Sequence, residues 1–102
     1  MLSLLLATSA LAYAPHCEVT GHYKNAKKAT SLVLLAMPGE KKLDSGKGGA
    51  GGAFQLRFWE SERDKYTRFW VRALGKEGQK LADSPDVKFS FDPGDCRAAV
   101  EF

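Results

Sequence analysis

Arg57, Trp59, Arg68, Trp70 and Arg72 alternate cation with indole along one short region of the chain. Tryptophan and arginine are the side chains most enriched where proteins hold their partners tightly. A guanidinium lying over an exposed indole contributes about 0.5–1 kcal/mol. Arranged on one face of a sheet, these five would grip an acidic peptide, a sugar ring or a partner protein. A second candidate is the stretch 39–52, rich in glycine, where Lys41, Lys42 and Lys47 stand against few acids. Cations on such a segment suit an anionic ligand or an acidic protein cleft.

Other chemistries find less support. Gly46, Gly48 and Gly51 fit G-x-G-x-x-G, but a phosphate cradle needs a helix next. The residues that follow, Ala53–Phe58, alternate like a strand, so no nucleotide site and no cofactor is expected. His16 and His22 both fall near one end, without cysteine or carboxylate at ligand spacing, so no metal site is assigned. The same placement leaves no serine with an evident base and third partner, so no catalytic residue is assigned. Glu60, Glu62 and Asp64 cluster with Arg63 and Lys65, where ion pairing at a turn is the ordinary outcome. Aromatic and basic residues also stack nucleic acid, but a net charge of +3 is low for a phosphate binder.

The sequence holds two cysteines, Cys17 and Cys96. Ahead of the first runs an apolar segment, Leu2–Ala7, followed by the small-x-small pattern Ala10-Leu11-Ala12. This pattern reads as a secretory leader over residues 1–14, cut after Ala12, although no Lys or Arg precedes it. The segment is too short to span a bilayer, and no membrane span is expected once it is removed. Export places the protein outside the cell or in a periplasm, where Cys17 and Cys96 would pair. What remains, 15–102, is enough for one domain. Its basic charge is uneven, with Lys24, Lys27, Lys28, Lys41, Lys42 and Lys47 opposed in 15–52 by Glu18, Glu40 and Asp44.

The elements that would position these residues read as strands. Cys17–Lys24 alternates, with Cys17, Val19, Gly21 and Tyr23 on one face. Thr30–Met37 is apolar on both faces, as a doubly covered strand would be. Pro38-Gly39 ends it, and 39–52 reads as a mobile loop. Phe54–Leu74 reads as a hairpin turning at Glu62–Lys65, with Phe58 opposite Phe69, Leu56 opposite Val71, and each tryptophan opposite an arginine. Shorter strands follow at Gln79–Ala82 and Val87–Phe91. After the turn Asp92–Asp95 comes Cys96–Phe102, with Cys96, Ala98, Val100 and Phe102 sharing a face. Six to seven such strands predict an all-β, immunoglobulin-like or transthyretin-like antiparallel sandwich.

Val19-Thr20-Gly21 and Gly52-Ala53-Phe54-Gln55-Leu56 resemble the V-x-G and G-x-F-x-L strands of carboxypeptidase regulatory-like, or transthyretin-like, sandwich domains. The Thr-Asp pair usual before that glycine is missing here. The resemblance implies a noncatalytic accessory or recognition module and transfers no functional residue. The expectation is therefore a secreted or periplasmic binding protein whose partner is a protein or glycan, acidic ones included. The alternative is a secreted inhibitor or effector acting through the 39–52 loop.

Overall fold

A computed structural model describes residues 16–25, 29, 31–90 and 96–102, with the Ala50 side chain excepted. The leader, its cleavage point, Lys27, Lys28, Thr30, Phe91 and the Asp92–Asp95 turn lie outside these residues. Seven strands form: β1 (His16–His22), β2 (Ser31–Met37), β3 (Lys41–Gly46), β4 (Ala53–Trp59), β5 (Arg68–Leu74), β6 (Lys80–Asp83) and β7 (Arg97–Glu101). They make two sheets, a small one ordered β4-β1-β7 and a large one ordered β3-β2-β5-β6. The pairs are antiparallel as expected, except β1 with β7, which runs parallel.

Period-2 alternation decides which side of each strand meets the other sheet. Cys17 and Val19 from β1, Phe54, Leu56 and Phe58 from β4, and Val100 from β7 face inward from the small sheet. Leu32, Leu34 and Ala36 from β2 and Phe69, Val71 and Ala73 from β5 answer from the large one. Burying each large apolar side chain contributes roughly 1.5–3 kcal/mol, and the Phe58 and Phe69 rings stack at 5.5 Å across the interface. Cys17 and Cys96 are bonded and closed off in this core.

β2 is apolar on its second face for a separate reason. Val33 and Leu35 point outward and are covered with Trp70, Met37 and Leu74 in a smaller cluster on the large sheet's outer surface. Gly21 belongs to a close approach: a Cβ there would collide with the Val100 carbonyl oxygen and press on the Phe54 ring. Gly21 is also the register partner of Phe54, so the V-x-G and G-x-F-x-L stretches lie side by side. At the β2–β3 turn, Gly39 takes a φ of 90°, a conformation that costs other residues.

Three expectations are corrected. The Phe54–Leu74 hairpin does not exist: β4 pairs with β1, and β5 pairs with β2 and β6. A 3-10 segment, Glu60–Lys65, carries the chain from one sheet to the other. The apolar faces of β4 and β5 meet across the sandwich instead of side by side, which satisfies the same hydrophobic pattern. The loop 39–52 is largely structured, because Lys41–Gly46 forms β3 on the edge of the large sheet. Finally, 84–90 is extended without forming a strand. Ser84 and Val87 donate their N–H groups to the Val71 and Phe69 carbonyls, so this segment trails along β5.

Candidate functional site

Moving β4 and β5 into separate sheets splits the five-residue arginine–tryptophan face in two. Arg68, Trp70 and Arg72 lie on the outer surface of the large sheet, and Arg57 and Trp59 belong to the small one. The expected cross-strand pairs, Trp59 with Arg68 and Arg57 with Trp70, are absent.

On the large sheet the cations are already engaged. The Arg72 guanidinium donates to both Asp83 oxygens at 2.8 and 3.1 Å, and to Glu40 Oε1 at 2.8 Å. Arg68 forks onto Asp86 at 3.0 and 2.9 Å. Their guanidiniums also lie 5.9 and 5.6 Å from the Trp70 ring centre. The Arg72 hydrogen bond holds the Asp83 carboxyl below its ordinary range, and Arg68 does the same for Asp86. Trp70 is only 8% exposed, and its Nε1 has no hydrogen-bond partner among the described residues. This trio clamps a small apolar cluster and presents little free charge.

Trp59 is different. It is 53% exposed, and no other described large apolar side chain is exposed. Its indole stacks on the His16 ring at 4.5 Å, since His16 and Trp59 are register partners on β1 and β4. Beside this stack the edge strands β3 and β4 leave an open cleft of about 530 Å³. Lys41, Lys42 and Arg57 line it with His16 and Trp59.

The geometry of β3 explains this lining. Lys41 pairs with Ala36 and Asp44 with Leu34, so both share the faces of inward-directed residues. A register shift between them leaves Leu43 as the extra residue, and its side chain packs on the core. Asp44 then reaches across the gap and accepts the Arg57 backbone N–H at 2.7 Å. The cleft's other acid, Glu62, is held by Lys65 Nζ at 2.7 Å, which raises the Lys65 pKa. Lys41, Lys42 and the Arg57 side chain are exposed. The cleft thus combines an aromatic platform with an excess of uncommitted cation.

Two of the five residues of the first candidate surface, Arg57 and Trp59, and two lysines of the second, Lys41 and Lys42, meet here. Lys47 does not line the cleft. His16 was not legible as a member, because the β1–β4 pairing that stacks it on Trp59 has no local signal. His22 stands at the far end of β1, exposed, with Nδ1 3.5 Å from Glu101. Among the described residues no helix is long and apolar enough to cross a membrane.

No protein-family model matches the chain. No curated protein matches it either. Among solved structures it is similar to a 9R-lipoxygenase from Cyanothece PCC8801, at 11% identity and a TM-score of 0.44. That match covers 98% of this chain and 19% of the lipoxygenase, so the chain spans about a fifth of its neighbour's length. A likeness of this size fixes neither activity nor ligand.

Proposed function

We propose that this protein is a small exported, noncatalytic binding module that captures an acidic carbohydrate in the cleft between β3 and β4. The observation that carries the reading is the exposed Trp59–His16 stack with Lys41, Lys42 and Arg57 around it. An indole face receives the C–H face of a sugar ring, and ammonium and guanidinium groups receive its carboxylates. Glu62 is neutralised by Lys65, and Lys41, Lys42 and Arg57 outnumber the other lining carboxylate, Asp44. The buried disulfide supports an oxidising compartment, and the resemblance to regulatory-like sandwich domains supports a recognition role. The competing inhibitor reading relied on a long mobile loop, and β3 takes up much of that segment.

Titration with an oligogalacturonate tests this, with a neutral glucan and a polyglutamate peptide as controls. The acidic sugar should perturb the Trp59 indole N–H in an NMR spectrum, and the glucan should not. Trp59→Ala should abolish binding, and Lys41→Ala with Lys42→Ala should weaken it and flatten its salt dependence. Tight capture of polyglutamate alone, or binding that survives Trp59→Ala, would overturn the assignment.

A further inference from the structure

The cleft between β3 and β4 holds one imidazole. His16 ends the β1–β4 ladder opposite Trp59, and its ring lies 4.5 Å from the indole with the two planes 28° apart. The residue is exposed, and the ion pairs among the described residues include none at His16. The other histidine stands differently. His22 lies outside the cleft at the opposite end of β1, with Nδ1 3.5 Å from Glu101.

Each element around the cleft brings its own charges towards His16. β3 supplies Lys41, Lys42 and Asp44, and β4 supplies Arg57. The Glu60–Lys65 crossing supplies Glu62, whose Oε2 is held by Lys65, and Tyr66 follows it. Glu60 and Asp64 of that crossing do not line the cleft, and Asp64 lies 3.8 Å from Arg63. On β1 itself Glu18, the next residue of the same face, accepts from Gln55 Nε2 at 2.6 Å. The β7 ladder starts only at Glu18, so β7 places no register partner beside His16. Three cations therefore line the cleft with the ring, against Asp44 and a Glu62 already paired.

We infer that His16 is a proton switch on this cleft: an anionic sugar binds most tightly when the ring is protonated, and its binding draws a proton onto the ring. This rests on the carbohydrate reading above and adds its regulation. Of the residue types lining the cleft, histidine alone changes charge between about pH 5 and 8. A protonated ring adds a fourth cation facing the ligand and sets it against the indole face, which attracts positive charge. Beside three cations, that charge is favoured chiefly when an anion is present to meet it. Coupling of this kind is reciprocal, so protonation strengthens capture by the factor by which capture strengthens protonation. For one charge in a cleft open to solvent the factor is about three to ten. Affinity is greatest below the ring's titration in the free protein. It falls to a lower plateau once pH passes the titration in the complex.

Calorimetry of the disulfide-bonded protein with an oligogalacturonate tests this at constant ionic strength, at about pH 5.5 and about pH 8. Affinity should be about three- to tenfold higher at the lower pH. At intermediate pH, buffers of different ionisation enthalpy should reveal net proton uptake on binding. The His16 Cε1–H resonance should show its titration midpoint moving up by about 0.5–1 pH when the sugar saturates the site, the same factor read from the other side. In H16Q the affinity ratio between the two pH values should fall to about one, whereas H22Q should keep it. A midpoint unmoved by the sugar, or a ratio that survives H16Q, overturns the switch. Equal binding by the wild type at both pH values overturns the switch alone, and no binding at either overturns the carbohydrate reading with it.

Discussion

Reducing the Cys17–Cys96 bond should remove a large part of this protein's margin of stability. The cysteines are 79 positions apart, and loop-closure entropy for such a separation gives about 4.5 kcal/mol at 25 °C as an upper figure. A chain of 102 residues has roughly 5–15 kcal/mol in all. Both cysteines are essentially inaccessible, at 0% and 2% exposure. Two thiols left in the same place open no new cavity, so the loss should come mainly from the unfolded chain. The strand most exposed to that loss is β7, which follows Cys96 directly and, among the described residues, pairs with β1 alone. Urea melts with and without a phosphine reductant, followed by tryptophan fluorescence, measure the difference directly. The midpoint should fall by an amount equivalent to about 3–4.5 kcal/mol. Amide exchange in the reduced protein should quicken in β7 before it does in β2 or β5. A loss below about 1 kcal/mol, or uniform exchange across both sheets, would refute the argument.

Four further substitutions test other parts of the structure. Gly21→Ala drives a methyl group into the Val100 carbonyl and should cost about 2 kcal/mol or more by denaturant melting; a neutral effect would show that β1 and β7 are not this close. Trp70→Ala should cost about 3–5 kcal/mol, because the ring covers Val33 and Leu35, whereas Trp59→Ala should stay within about 1 kcal/mol; equal losses would mean that both rings are structural. Asp83 has a carboxyl pKa held below 3.8 by Arg72, so its pairing stabilises the fold above about pH 4 and fades as pH falls through the folded-state value. Asp83→Asn should flatten the fall in the urea midpoint between about pH 4 and pH 2, and a slope parallel to wild type would refute this.

Strand identity was legible wherever burial alternates. The inward residues of β1, β4 and β7 are those the period-2 pattern selects, and β2 announces its central position by being apolar on both faces. Strand pairing was less legible. Phe54, Leu56 and Phe58 fit Phe69, Val71 and Ala73 equally well as hairpin neighbours and as facing layers of a sandwich. Hydrophobicity alone does not distinguish the two, and Glu62–Lys65 forms a 3-10 crossing without any glycine or proline to mark it. The same gap concealed the cleft. Trp59 and Arg57 were visible as candidates from residue type, but their true neighbours, His16 on β1 and Lys41 on β3, are set by pairings far apart in sequence. β3 itself was masked by its lysines and by a bulge that interrupts its alternation.

The small sheet has its earliest strand in the middle. As the ribosome delivers the chain, β1 emerges first, yet both of its lateral partners, β4 and β7, arrive much later. Residues 97–101 must be released before that sheet has its full width and before Cys96 meets Cys17. An incomplete nascent chain therefore carries β1 with at least one unsatisfied side, a state open to chaperones and to misassociation. Pairings this distant along the chain also place folding towards the slower end for small domains, nearer milliseconds to seconds than microseconds.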